Sequence, residues 1–164
     1  MKEFESDFKC IYEENYARVM RICMGYASGD TELANDLVQE VFIKVWSNLN
    51  TFKGQSKITT WIYRIAVNTC LMNLRKNKTK PFTNVALQED VRAEEQRSHE
   101  KERQYHEMYR CISMLSATNK AIIMMELEGL AQKEIAQIIG LQHEAIRTRI
   151  HRIKNQLSKC VDHG

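Results

Sequence analysis

Trp61, Arg64, Asn68 and Arg75 are the residues whose types and spacing best suit a chemical task, and the task is holding a polyanion. At 100° per residue the four fall within an arc of about 60° on one helix. An aromatic ring, an amide and two guanidinium groups on one face would suit a nucleic-acid strand, with a base to stack and phosphates to neutralise. The plain alternative is that Trp61 belongs to the core and the arginines are solvated.

The surrounding charge favours the polyanion. From Val41 through Gln88 the chain has no Asp or Glu, yet it holds Lys44, Lys53, Lys57, Arg64, Arg75, Lys76, Lys78 and Lys80, with both tryptophans, Trp46 and Trp61. Met1 to Glu40 is the reverse, with nine acids against four bases. Two neighbouring segments of opposite sign point to two different partners.

No catalytic set emerges. His99, His106, His143, His151 and His163 lack metal-ligand spacing, there is no Gly-rich phosphate loop, and no nucleophile pairs with a base. The expectation is therefore a non-enzyme without a metal or cofactor. Cys10, Cys23, Cys70, Cys111 and Cys160 are odd in number, widely spaced and free of any CxxC pattern, so they read as small buried hydrophobes in a reducing cytosol. No apolar run approaches membrane-spanning length, and no signal-like start opens the chain. A cytoplasmic protein without membrane insertion follows.

These residues must be positioned by helices. Six glycines and one proline in 164 residues leave little material for hairpin turns, and Leu, Ile, Met, Lys, Glu and Arg are abundant, so the chain reads as all-α. Phe4, Phe8, Tyr12, Tyr16, Met20 and Cys23 mark a first helix ending near Gly25 to Gly29. Asp30 or Thr31 caps a second, with Leu33, Leu37, Val38, Val41, Phe42, Val45 and Trp46 on its apolar face and Asp36, Gln39, Glu40 and Lys44 outside. A third runs from Ser56 or Ile58 to Asn77 with Ile58, Ile62, Ile65, Thr69 and Met72 as its core stripe. Pro81 ends this unit, and the mixed charges of Gln88 to Glu107 read as a linker or a frayed helix.

A helical stripe resumes at Tyr105, Met108, Tyr109, Ile112 and Leu115. Ser116 or Thr118 caps the next helix, which stops at Gly129. Gln132 to Ile139, a turn at Gly140 and a helix from His143 to Lys159 then make a helix-turn-helix, with Ala136, Gly140 and Ile146 at the crossing, turn and anchor positions. Ile146, Ile150, Ile153 and Leu157 form its buried stripe, so Arg147, Thr148, His151, Arg152 and Lys154 project elsewhere. That composition suits base-edge and phosphate contacts, although a packing helix with a solvated basic face would look similar.

The run Asp36-Leu-Val-Gln-Glu-Val-Phe-Ile-Lys-Val-Trp46, with Phe52-Lys-Gly54, Thr60-Trp-Ile-Tyr-Arg-Ile-Ala-Val-Asn68 and Leu74-Arg75, closely resembles conserved region 2 of bacterial RNA polymerase sigma factors of the sigma-70 family, in the extracytoplasmic-function (ECF) group. Glu134-Ile-Ala136, Gly140 and Ile146-Arg-Thr-Arg-Ile-His-Arg152 resemble region 4 of the same group. The resemblance implies two small helical domains, a region 2 bundle over 1–80 and a region 4 helix-turn-helix domain over 105–164, joined by a charged linker over 81–104. It implies a transcription initiation factor whose partners are core RNA polymerase, through the largest subunit's clamp helices and the flap region, promoter DNA, and an anti-sigma factor.

The same resemblance distributes roles. Asp36, Gln39 and Glu40 stand at the positions that dock on polymerase. Phe52 and Asn68 stand at the pocket that captures a flipped base of the −10 element, with Lys53, Lys57, Trp61, Arg64, Arg75 and Lys76 near the strand. Glu144, Ala145, Arg147, Thr148, Arg149, His151 and Arg152 would read the −35 element. Glu144-Ala145 replaces the Gly-Thr pair common in the family, so the −35 sequence cannot be borrowed from relatives. An autonomous helix-turn-helix regulator with an N-terminal dimerisation or sensing domain is the alternative, but it gives no reason for the acid-free stretch.

Overall fold

A computed structural model describes residues 2–77 and 96–162, with side chains over 7–77 and 100–162. Among the described residues the chain is helical without strands: α1 (Lys2–Tyr26), α2 (Thr31–Asn48), a 3-10 turn (Leu49–Thr51), α3 (Ile58–Asn77), α4 (Gln96–Ser113), α5 (Ala117–Leu127), α6 (Gln132–Ile139) and α7 (His143–Asp162). The side chain of Phe4, and the expected linker at Lys78, Lys80 and Pro81 through residue 95, lie outside the described residues.

Local chemistry sets the boundaries. The Asp30 carboxylate accepts from the Glu32 and Leu33 N–H groups at 3.0 and 3.1 Å, satisfying two donors that open α2. Ser116 does the same for Asn119 at the start of α5. Gly140 closes α6 at φ 78°, a left-handed conformation in which a Cβ is costly, and its N–H donates to the Ala136 carbonyl at 2.8 Å. One helix begins ahead of its apolar stripe, within the stretch read as a linker or a frayed helix. α4 opens at Gln96 rather than near Tyr105, because Gln, Glu, Lys and Arg are good helix formers that leave no apolar stripe to read.

The N-terminal helices α1, α2 and α3 pack on one another, and α4 to α7 form the C-terminal unit. Of the expected α3 stripe, Ile62 and Thr69 are buried, Ile58 and Ile65 are partly buried, and Met72 is exposed. Trp46, expected on the apolar face of α2, is 39% exposed and packs edge-on against Phe8 at 4.8 Å. In α7, Ile146, Ile150 and Ile153 are buried as their spacing requires.

The two units also touch. α5 lies against α1 and α3, and one cluster of buried side chains runs through both units. Gly25 permits the approach, since a Cβ there would meet the Met124 sulfur at 2.5 Å. Polar groups line the same contact. Arg21 grips Glu128 through Nε at 2.5 Å and Nη2 at 2.8 Å, Tyr26 donates to the Ala117 carbonyl at 3.4 Å, and Thr60 donates to Glu134 at 3.0 Å.

The cysteines depart from the sequence reading. Cys111 and Cys160 form a disulfide between α4 and the last turn of α7, and Cys10 is exposed. A separation of 49 residues hid the pair, which comes together because α4 and α7 pack side by side. Cys23 and Cys70 are the buried thiols, 3.9 Å apart, with Cys70 donating to Cys23. That hydrogen bond, together with burial, raises the Cys70 pKa well above the ordinary thiol value.

Candidate nucleic-acid interface

Where α2 crosses α3 the surface opens into a cleft of about 300 Å³, lined by Lys44, Asn48, Thr51, Trp61, Ile65, Asn68, Thr69 and Met72. That is enough room for a single nucleobase. Trp61 supplies an aromatic wall, Asn68 and Asn48 supply amides, and Lys44 supplies a cation. The Lys44 ammonium donates to Glu40 at 2.6 Å and to the Thr69 hydroxyl at 3.1 Å, which fixes it at the cleft edge. Lys44 was expected among the outward residues of α2. The structure tucks it against α3 instead, since its long stem can lie over the helix crossing while the charge stays wet.

Phe52 does not line this cleft. It packs on Trp61 from the side, with ring centroids 5.3 Å apart, and so backs the wall rather than forming it. Lys53, Lys57, Arg64, Asn68, Arg75 and Lys76 are exposed, and of these Asn68 lines the cleft. Asn48, Thr51, Ile65, Thr69 and Met72 were not singled out as site residues from sequence. Thr69 and Met72 sit on the arc that periodicity assigned to the core, and only the crossing angle of α2 shows that this arc ends in an open cleft.

Along α2 next to the cleft, Asp36, Gln39 and Glu40 are exposed, and Ile43 beside them is 64% exposed. Positions 36, 39, 40 and 43 make an i, i+3, i+4, i+7 stripe, so polar groups and one uncovered apolar side chain share a face. Ile43 was assigned to neither face from sequence. Its spacing from Asp36 was the available signal.

In the C-terminal unit α6 and α7 are set by Gly140 and by Glu134, whose second carboxylate oxygen accepts from the Ala131 N–H at 3.1 Å. Arg147, Thr148, His151 and Arg152 project from α7 opposite its isoleucine stripe, and Glu144 is exposed at its first turn while Ala145 is partly covered. Among the described residues Arg147 and Arg152 have no protein partner. Arg149 differs. It flanks the buried stripe and reaches Asn119 of α5 at 3.5 Å, while Lys154 pairs with Glu126 at 2.8 Å on the other flank. Thr148 turns its hydroxyl onto the Glu144 carbonyl at 3.0 Å, and the His151 ring lies 3.3 Å from the Asn155 amide nitrogen.

Residues 11–80 match the family model for Sigma-70 region 2, and residues 105–157 match that for Sigma-70 region 4. The ECF RNA polymerase sigma-E factor of Escherichia coli K12 is 34% identical over 148 residues, covering 82% of this chain and 75% of that protein. The sigma-E factor of Haemophilus influenzae is 32% identical over 138 residues, covering 77% and 73%. The chain belongs to the sigma-70 family of sigma factors, in its ECF group.

Solved sigma-factor structures share the fold. The sigma factor RpoE of Bartonella quintana, in complex with the anti-sigma factor NepR, aligns with a TM-score of 0.75 over 95% of this chain and 97% of that one, at 20% identity. CnrH, in complex with the cytosolic domain of CnrY, aligns at 0.70 over 96% and 89%, at 19% identity. In this ECF sigma factor, then, the cleft and the exposed stripe of α2 both lie in the region 2 match, and α6 and α7 lie in the region 4 match. Among the described residues no helix is long and apolar enough to cross a membrane.

Proposed function

We propose that the α2–α3 cleft receives a base flipped from the nontemplate strand of the −10 element, that α7 reads the −35 element, and that the α2 stripe docks on core RNA polymerase in the cytoplasm. The observation that carries this reading is the cleft itself. Trp61, Asn68 and Lys44 line it, and the sequence segment that carries them holds exposed Lys53, Lys57, Arg64, Arg75 and Lys76 and no carboxylate. Taking a base out of the stack costs a few kcal/mol, and stacking on an aromatic side chain returns about 1–3 kcal/mol per base. Phe52 acts by holding Trp61.

Asp36, Gln39, Glu40 and Ile43 form the polymerase-facing set. Arg147, His151 and Arg152 form the base- and phosphate-reading set at −35, with Glu144, Ala145 and Thr148 at its edge. Arg149 braces α7 on α5. We assign residues 1–80 to polymerase docking and −10 opening, 81–104 to a linker, and 105–164 to −35 reading and the polymerase flap. The protein carries out no reaction of its own; it lends specificity to polymerase. An anti-sigma factor would hold it inactive.

Transcription in vitro with core polymerase on a genomic DNA pool is the test. Start-site-specific transcripts are expected, and Trp61→Ala or Asn68→Ala should lower promoter opening on the order of 10–100-fold while polymerase binding persists. Intact polymerase binding after Asp36→Arg with Gln39→Arg would refute the docking face. A palindromic footprint without polymerase would favour the autonomous regulator.

A further inference from the structure

Cys111 and Cys160 are placed where a bond between them does something the rest of the packing does not. The buried stripe of α7 weakens along its length: Ile146 and Ile153 are 0% and 1% exposed, Leu157 and Cys160 are partly exposed, and Val161 is 45% exposed. Beyond Leu157 the disulfide links the last turn of α7 to α4. α4 in turn contacts α1, and its His106 and Tyr109 approach Gly29 in the turn that follows α1. The bond therefore ties the end of the proposed −35-reading helix to the element that rests on the N-terminal unit.

The chain also contains its own control. Cys23 and Cys70 lie 3.9 Å apart but are both 0% exposed within the N-terminal helices, where no soluble oxidant reaches them. Cys160 is partly exposed at a helix end, so a reagent can reach one partner of the other pair. A disulfide in a reducing compartment is characteristically transient or redox-sensing. A unit of roughly sixty residues has a small core, so a cross-link closing 49 residues bears strongly on its stability.

We propose that Cys111 and Cys160 are a reversible redox pair whose disulfide holds the C-terminal helical unit together, so that oxidation sustains −35 reading under conditions that loosen the reduced chain. The oxidant is a low-molecular-weight disulfide, RSSR. The Cys160 thiolate attacks one sulfur of RSSR and releases RS⁻; the Cys111 thiolate then attacks the Cys160 sulfur of the mixed disulfide and releases the second RS⁻. Two electrons pass from the protein thiols to RSSR. The two protons the thiols lose end on two RSH, and excess RSH runs the exchange backwards.

The part of the proposal that concerns −35 reading rests on the function proposed above, whereas the redox pair does not. The test poises the full-length protein in buffers of graded glutathione to glutathione disulfide ratio, quenches exchange with acid, and counts thiols by alkylation in denaturant and intact mass. Three alkylated cysteines are expected in the oxidised form, Cys10, Cys23 and Cys70, and five in the reduced form. Oxidised protein should melt roughly 10–20 °C above reduced protein. A Cys111→Ser, Cys160→Ser chain should melt like the reduced wild type in every buffer.

A bond that never forms in this range, or that survives excess dithiothreitol in the native chain, overturns reversibility, and equal melting temperatures overturn the stabilising role. In transcription with core polymerase just above the reduced form's melting temperature, the oxidised chain should retain output at least tenfold above the reduced one, and equal output overturns the link to −35 reading. Absence of promoter-directed transcripts in both redox states at low temperature would instead count against the proposed function, leaving the thiol count and melting to judge the redox pair.

Discussion

The N-terminal and C-terminal units present different chemistry to the nucleic acid that both are proposed to meet. α2 and α3 offer an aromatic-walled cleft in an acid-free segment, suited to a base taken out of its stack. α7 offers arginines above a rigid isoleucine stripe, suited to a duplex left intact. Their supports differ in the same sense. Trp61 packs on Phe52 and the core, while α7 makes polar contacts on both flanks, Arg149 to Asn119 and Lys154 to Glu126. The cleft keeps apolar area partly open, whereas the α7 face carries polar contacts at its flanks.

The largest way to break this comparison is through the two cores. Ile62 and Ile153 are 0% and 1% exposed, and each truncation to Ala should cost about 2–5 kcal/mol. Because the two units share buried contacts, denaturation of Ile62→Ala and of Ile153→Ala should each show one coincident transition for both units. Two separated transitions would mean that the units fold independently and that the contact of α5 with α1 and α3 is weak.

Arg152 against Arg149 sharpens the reading face. Arg152→Ala should weaken −35 duplex binding by about 1–3 kcal/mol and relax base preference at one position. Arg149→Ala should change binding by less than about 0.5 kcal/mol, since an exposed contact to Asn119 contributes little. Competition binding with single-base variants of the −35 element measures both. Equal losses would return Arg149 to the reading set.

Most helices and caps were legible because periodicity and capping are local: Asp30, Ser116, Gly140 and the α7 isoleucines all act within their own turn or face. The recognition helix was legible for the same reason. What stayed hidden was set between elements. Lys44 and Met72 became cleft residues only through the crossing of α2 over α3, Phe52 lost its place in the pocket to a packing contact, and Cys111 met Cys160 across 49 residues of intervening chain. The start of α4 at Gln96 was obscured because a charged helix has no apolar stripe.

The contact between the units is the next point of attack. Elements named for positions 25 base pairs apart lie about 85 Å apart along B-DNA at 3.4 Å per step, so units that share a core must part to engage both. Glu128→Gln leaves the side chain's volume but removes the charge that Arg21 grips. With the Glu128 side chain only 6% exposed, the loss should be about 1–3 kcal/mol. Small-angle scattering of the free protein should show a larger radius of gyration for the variant. An unchanged radius would mean that apolar packing around Met124 and Gly25 alone holds the units closed.

The smallest expected effect has the opposite sign. Lys120 of α5 is 8% exposed, its ammonium has no hydrogen bond or ion pair among the described residues, and burial lowers its pKa from the ordinary lysine value. It lies one turn before Met124, which places it on the side of α5 that faces α1. A lysine whose folded pKa lies below its unfolded value binds fewer protons in the folded state across the interval between them, so stability rises with pH through that interval and is lowest beneath it. Near neutral pH the ammonium therefore opposes folding, and Lys120→Met should stabilise the protein slightly and flatten the rise in stability toward alkaline pH. Melting temperatures of the two proteins, measured from neutral to strongly alkaline pH, give the comparison. A variant less stable than the wild type at neutral pH would show that the Lys120 charge is satisfied in the fold.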